Sequence, residues 1–260
     1  MKAGTVAETA VTREHRGEYG YDGYFHTVSA GAQLAGIGAI SAALFAGAGV
    51  ALARGNRLAA AFGAASAAEI LATATSYIYA TRSGKFRAWD GVLDNLRLRG
   101  DETLLDLGCG RGAVLLAAAK RLPQGRAMGV DVWRADQTEN SQQATWSNAG
   151  LENVADRVEV HTADMTALPF ADESVDVIVS SLAIHNIPTP AGRRKALDEA
   201  VRVLRPSGRL AIADLWETRQ HAAHLRESGW HNVRRRNLGW RMWYGGPWVS
   251  TRLVTATKPA

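Results

Sequence analysis

The stretch "LLDLGCGRGAVLLAAAKRL", residues 104–122, decides how the rest of the chain is read. An apolar run carrying Asp106 leads into Gly108, Cys109, Gly110, Arg111 and Gly112, and a leucine- and alanine-rich segment of helical character follows. A strand, a glycine turn and a helix make the opening of a βαβ unit. Glycines at that turn let backbone approach a ligand that a Cβ would push away. Asp106, at the strand end, can anchor the turn or meet a positively charged ligand group. The Gly-Lys-Ser/Thr ending of a phosphate-binding loop is absent. Spacing alone leaves a dinucleotide turn and a plain structural turn both open.

The next two strands narrow the choice. "GRAMGVDVW" (125–133) places Asp131 at its carboxyl end, followed by Val132. A carboxylate there can accept both ribose hydroxyls of an adenosine. "VEVHTAD" (158–164) ends in Asp164 beside Met165. That carboxylate can accept from an exocyclic adenine amine while the thioether lies against the ring. Three strand ends then border one crevice, where open α/β sheets bind ligands.

The same grammar continues to the C-terminus. "VDVIVSSLAI" (175–184) and "GRLAIADLW" (208–216) read as the fourth and fifth strands. Helical segments fall at 86–98, 112–122, 141–151 and 191–204. Strands alternating with helices predict a parallel sheet covered on both faces. A helix near 219–228 and strand candidates at 231–239 and 249–258, separated by an aromatic loop, suit an edge hairpin.

Taken in order, "LLDLGCGRG", "GVDVW", "TADMTALPF", "FADESVDVIVSSLAIHNI" and "EAVRVLRPSGRLAIADL" resemble the successive motifs of class I S-adenosylmethionine-dependent methyltransferases over about residues 100–216. The resemblance implies a three-layer α/β/α, Rossmann-like fold. Its seven-stranded sheet would run 3-2-1-4-5-7-6, with strand 7 antiparallel. It implies S-adenosyl-L-methionine as cofactor, with Asp106 and the Gly108, Cys109, Gly110 and Gly112 turn at the methionine part. Asp131 and Val132 would then meet the ribose, and Asp164 and Met165 the adenine. Ser180 opens the segment "SSLAIHNI" (180–187), which would line the approach to the methyl group. "LRPSG" (204–208) is expected to be a structural turn.

Ahead of this domain the chain is greasy. Residues 30–53 carry no formal charge, and at 1.5 Å per residue they reach roughly 36 Å as a helix, longer than a hydrocarbon core of about 30 Å. After the turn Arg54-Gly55-Asn56-Arg57, residues 58–80 form a second run interrupted by Glu69. Its end carries Tyr77, Tyr79, Arg82, Lys85 and Arg87, in the manner of interfacial anchors and a basic stop. Small residues such as Ala32 and Gly36 would let the helices approach closely. The expected organisation is a polar segment over 1–29, a helical hairpin over 30–82 acting as a two-span membrane anchor, and a methyltransferase domain over 83–260. The expected location is the cell membrane, with the catalytic domain facing the cytoplasm. A carboxylate at the bilayer centre is costly, so an alanine-rich hairpin packed on the domain or on another subunit remains the alternative.

Composition bounds partners. The 260 residues carry net charge +5, but 25 acidic residues intersperse 30 basic ones, and no basic cluster alternates with aromatics; nucleic acid is not expected. One cysteine excludes an intramolecular disulfide, and no metal site is expected. His185 is the candidate general base or acceptor-positioning group, with Asn186, Trp133, Trp216 and Trp243 as acceptor-pocket candidates. The tetrad Asp/Asn-Pro-Pro-Tyr/Phe is missing, which argues against a nucleobase target. The function expected is methyl transfer to a hydrophobic small-molecule or lipid-borne acceptor at a membrane. The alternatives are a soluble small-molecule methyltransferase whose hairpin is a lid or dimerisation element, and a non-catalytic cofactor-binding scaffold. Homo-oligomerisation is left open.

Overall fold

The computed structural model describes residues 15–23 and 28–260. Much of the polar segment expected over 1–29, including Arg13, lies outside the described residues.

Helices α1 (Ala30–Ala53) and α2 (Arg57–Tyr79) form the hairpin. Their starts are set by side-chain caps: Ser29 Oγ accepts from Ala32 N and Asn56 Oδ1 from Ala59 N, each satisfying an otherwise orphaned donor. Gly55 supplies the left-handed residue (φ 77°) that the tight turn needs. The contact face is a stripe of Ser41, Leu44 and Ala48 on α1 against Ala60, Gly63 and Ala67 on α2, spaced by three and four residues. Close approach falls at Gly63, where an added Cβ would lie 3.3 Å from Ala48 Cβ. It does not fall at Gly36, which faces open space. The outward faces leave Ile40, Phe45, Val50, Leu58 and Phe62 exposed.

Helix α2 does not stop at a linker. It continues through one π-helical turn (Ala80–Gly84) into α3 (Lys85–Leu96). That join is held against the C-terminal region: Ser76 Oγ donates to Trp243 O, and the Tyr79 ring stacks on Trp240 at 4.9 Å. α3 is amphipathic, burying Trp89, Val92, Leu93 and Leu96 and ending at Arg97 in the left-handed region.

Seven strands follow: β1 (Thr103–Leu107), β2 (Arg126–Asp131), β3 (Val158–Thr162), β4 (Val175–Ser181), β5 (Leu204–Asp214), β6 (Arg234–Asn237) and β7 (Arg252–Thr257). They form one sheet in the order β3-β2-β1-β4-β5-β7-β6, with β7 antiparallel to both neighbours. Between them lie α4 (Ala113–Ala119), α5 (Gln142–Leu151), α6 (Pro190–Val203) and α7 (Thr218–Glu227). Strand side chains alternate between faces, and two cores result. Leu104, Val177, Val179, Ala211 and Ala213 pack with α3 and α4 through Trp89, Leu93 and Leu115. Leu105, Leu107, Ile178, Leu210 and Ile212 pack with α6 and α7 through Leu197, Ala200 and Leu225. Each fully buried leucine contributes about 1.5–3 kcal/mol. The fold is thus the three-layer α/β/α arrangement expected.

One local expectation changes. "LRPSG" (204–208) is not a turn ahead of β5 but its first part. Register with β4 jumps from Val175–Leu204 to Val177–Arg209, so residues 205–208 bulge out of the ladder. Proline lacks the ladder donor and is tolerated at such a bulge. The corner is held from the far strand, where Ser207 N donates to Lys258 O and Lys258 N to Gly208 O.

Candidate functional site

At the carboxyl end of β1 the glycine turn folds back on β2. Gly108, Gly110 and Gly112 all have positive φ (73°, 49° and 89°). The N–H groups of Gly108 and Cys109 both donate to Val130 O, at 2.8 and 3.1 Å. A Cβ on Gly108 would lie 2.2 Å from Ala183 Cβ, so glycine is obligatory there. Gly112 closes the turn onto Cys109 O and abuts Leu116 and Thr145.

A cavity opens over this turn. Asp106, Gly108, Cys109, Gly110, Asp131, Val132, Asp164, Met165 and Asn186 all line it. Asp131 is held by two backbone donors, Gly110 N to Oδ2 at 2.9 Å and Trp133 N to Oδ1 at 2.6 Å, which leaves further lone pairs for a diol. Burial raises its pKa. Asp106 is 1% exposed and its Oδ1 has no hydrogen-bond partner. Burial, and then the neighbouring Asp131 charge, pushes its pKa up to about 8. The free Oδ1, buried beside the glycine turn, is placed to accept from a cationic group, which would favour the ionised form. Asp164 forms a local turn with Thr166 N and remains exposed at the rim, with Met165 beside Gly108.

Several expected residues stand elsewhere. Ser180 is fully buried and donates to Leu107 O, stitching β4 to β1; its neighbour Ser181 faces the cavity instead. Trp133 lies outside the cavity wall, its Nε1 bonded to Thr162 Oγ1. Trp243 meets α2 through its carbonyl, and Trp216 is exposed. The His185 side chain turns from the cavity towards β5: its Nδ1 bonds Asp214 Oδ1, its N–H donates to Asp214 Oδ2, and its ring meets Trp216 edge-on at 5.3 Å. Buried His221 shares this cluster, and burial lowers its pKa.

The cavity is completed by residues that the motif pattern did not single out. From α3 come Lys85, Phe86 and Trp89, with Trp89 Nε1 donating to Ser181 Oγ. From the loop after β2 come Arg134, Asp136, Gln137 and Asn140. The segment 15–23 straps this loop to the domain. Its anchor is buried Glu152, whose Oε1 accepts from Arg16 N, Gly17 N and Tyr19 OH while Lys120 pairs with Oε2. Arg111 Nε donates to Glu18 O. At the end of the strap Asp22 accepts from Lys85 Nζ (2.8 Å), Thr81 Oγ1 (3.0 Å), Tyr244 OH (2.8 Å) and Gln137 Nε2 (3.2 Å), and its carbonyl accepts from Tyr77 OH. One carboxylate therefore joins strap, hairpin, C-terminal loop and cofactor-side loop. The spacing of Lys85 and Trp89 on one face of an amphipathic helix was the available signal; Asp22 had none, because its partners are remote in sequence.

The sheet order, the glycine turn and the carboxylates at three successive strand ends define an α/β domain that binds an adenosyl cofactor. Residues 105–212 match the family model described as a methyltransferase domain, and this part of the chain is a class I S-adenosylmethionine-dependent methyltransferase domain. S-adenosylmethionine is the cofactor. Over 132 residues the chain is 35% identical to the ubiquinone/menaquinone biosynthesis C-methyltransferase of Roseobacter denitrificans, covering 50% of each chain. The chain thus spans about half the length of that curated relative. Two solved structures share the fold. The [4+2]-cyclase SpnF is 20% identical with a TM-score of 0.53, covering 66% of this chain and 82% of its own. The YcgJ protein of Bacillus subtilis is 18% identical with a TM-score of 0.50, covering 67% and 99%.

These matches correct the expected location at the cell membrane with a cytoplasm-facing catalytic domain. The Bacillus protein is accounted for almost entirely by the shared fold, so that fold is complete without a spanning segment. Here no linker sets the hairpin apart from the domain. α2 runs unbroken into α3, and its last turns dock on the 240s loop and on Asp22.

Proposed function

We propose that this protein transfers the methyl group of S-adenosylmethionine to a small hydrophobic metabolite. The observation that carries this reading is the composition of the cavity beyond the glycine turn. Beside its polar groups the lining includes Phe86, Trp89, Leu182, Ala183 and Ile187, an apolar surface suited to an acceptor that meets the donor there. The relative in Roseobacter denitrificans, named for methylating carbon in quinone biosynthesis, supports the same class of acceptor.

When bound, the donor supplies an electrophilic methyl on a sulfonium. The chain's part is binding, alignment and proton removal. Asp106 would hold the ammonium of the methionine part, Asp131 the ribose diol, and Asp164 with Met165 the adenine. The apolar wall would exclude water and align the acceptor in line with the methyl, and such positioning supplies much of the barrier reduction. Asp136 faces the same cavity and is held by Asn186 Nδ2 at 2.9 Å. Burial, and then the Asp131 charge, raises its pKa, the direction that favours taking up a proton. It would take the acceptor proton as the new bond to carbon forms and the carbon–sulfur bond breaks. His185, turned onto Asp214, would position the 183–187 segment. The hairpin would serve as a wall of the acceptor side, fixed by Asp22.

The test is calorimetry followed by turnover. S-adenosylmethionine and S-adenosylhomocysteine should bind and NAD should not. With isotopically labelled methyl donor and a panel of hydrophobic phenols, thiols and amines, label should enter the solvent-extractable product and leave nucleic acid untouched. Preferred binding of NAD would overturn the donor assignment, whereas donor binding without transfer to any acceptor would favour a scaffold.

A further inference from the structure

A second cavity of about 510 Å³ lies between the two hairpin helices, within the roughly 300–1,000 Å³ range of small-molecule sites. The helices close tightly at the far end, through Ala48 against Gly63, and part towards the domain. In the parted region the walls are Leu34 and Ile37 of α1 and Ile70, Thr73 and Ala74 of α2. From Glu69 at the outer end to Tyr77 at the inner end runs about 12 Å of helix at 1.5 Å per residue. The inner end is polar, formed by Asp22, Tyr77 and Tyr244.

Asp22 borders this cleft and also lines the cofactor cavity. The two spaces therefore share Asp22 as a wall residue. Polarity changes along the path: charged and hydroxyl groups at the junction, then the apolar side chains of Leu34, Ile37, Ile70 and Ala74, with Gln33 also on the lining and the Glu69 carboxyl at the outer end. That grading suits one class of ligand, a molecule with a polar reactive head and a single extended apolar chain. A compact apolar ligand would fill the wall beside Trp89 and leave the cleft empty.

We propose that the hairpin cleft is the subsite for the apolar chain of the methyl acceptor, whose head is presented past Asp22 to the donor. This rests on the methyl-transfer reading above and narrows its substrate to chain-bearing amphiphiles. It also gives the hairpin a task that its covalent continuity with α3 requires: the chain-binding walls stay in fixed register with Lys85 and Trp89 of the cofactor cavity.

The probe is a series of 4-n-alkylphenols, ethyl to decyl, titrated calorimetrically into the full chain saturated with S-adenosylhomocysteine. Affinity should rise about fourfold per methylene, as for a buried CH₂, and level off once the chain outgrows the cleft. Ala74→Trp and Ile37→Trp fill the cleft from opposite walls. Each should abolish the chain-length dependence while leaving S-adenosylhomocysteine affinity and the melting transition unchanged. A flat series in the wild type would overturn the subsite and leave the donor reading standing. An undiminished slope in both variants would also overturn it, by showing partition onto the exposed hairpin faces. Failure of S-adenosylhomocysteine to bind at all would remove the donor reading and this proposal together.

Discussion

At the scale of single residues, Asp106 carries the clearest electrostatic consequence. Its carboxyl is buried with Oδ1 unbonded, and burial pushes its pKa up to about 8 from the ordinary 3.8. A carboxyl whose folded pKa lies above its unfolded one contributes stability that is present below the unfolded value and is lost as pH rises through the folded one. Without cofactor, the protein should lose stability progressively from about pH 4 to pH 8 on this account. D106N should flatten that slope and raise the stability of the cofactor-free protein at pH 8 by about 1–3 kcal/mol, while weakening S-adenosylmethionine. Thermal melts across pH check the first part and calorimetry the second; a slope unchanged in D106N would show that the carboxyl is not the source. Asp136 has a different signature. D136N should lower kcat by about 10²–10⁴-fold with donor affinity retained, and equal loss of both would reassign it to donor binding. The motif pattern made Asp106 and Asp131 legible because strand ends and glycine turns leave local marks. Ser180 shows the limit: adjacent residues on a strand face opposite ways, and a shift of one exchanges a cavity residue for a buried stitch to Leu107.

At the scale of elements, both hairpin helices were legible almost to the residue, because two long apolar runs and the Arg54-Gly55-Asn56-Arg57 turn between them are local marks. What they pack against was not. Apolar periodicity records that a face is greasy but not which partner covers it, so the docking of Ser76 and Tyr79 on the 240s loop left no trace in the pattern. The same blindness hid the bulge at 205–208, whose support comes from Lys258 across the sheet. The junction between α2 and α3 is where this packing can be tested. A Cβ on Gly84 would lie 1.9 Å from Arg241 O, a backbone atom that can yield only if its loop moves. G84A should therefore cost about 1–3 kcal/mol and lower the Tm by several degrees. Amide hydrogen exchange at residues 240–244 should quicken. Unaltered melting and exchange would mean that the loop is not seated on this turn.

Across the whole molecule, two structures share one chain. Among the described residues, all but one of the side chains in the two sheet cores lie beyond residue 83, the exception being Tyr19. The catalytic layers should therefore fold without the hairpin. The strap and hairpin nevertheless reach the cofactor side: Glu18 O and Asp22 hold Arg111 and Gln137, which flank Gly110. Removing residues 1–82 leaves Glu152 with Lys120 but without three of its donors, and leaves Lys85 without Asp22. A chain beginning at Ser83 should thus melt in a single cooperative transition at reduced Tm. It should still bind S-adenosylhomocysteine, but about tenfold more weakly, a loss of about 1.4 kcal/mol, because the loop over the glycine turn has lost its tether. Alkylphenol binding should no longer depend on chain length, since both walls of the cleft are gone. Calorimetry and thermal melting of the shortened chain beside the full one measure all three. Absence of a cooperative transition would make the hairpin part of the folding core. Unchanged S-adenosylhomocysteine affinity would separate the strap from the cofactor site, leaving Asp22 a structural joint rather than the link between donor and acceptor.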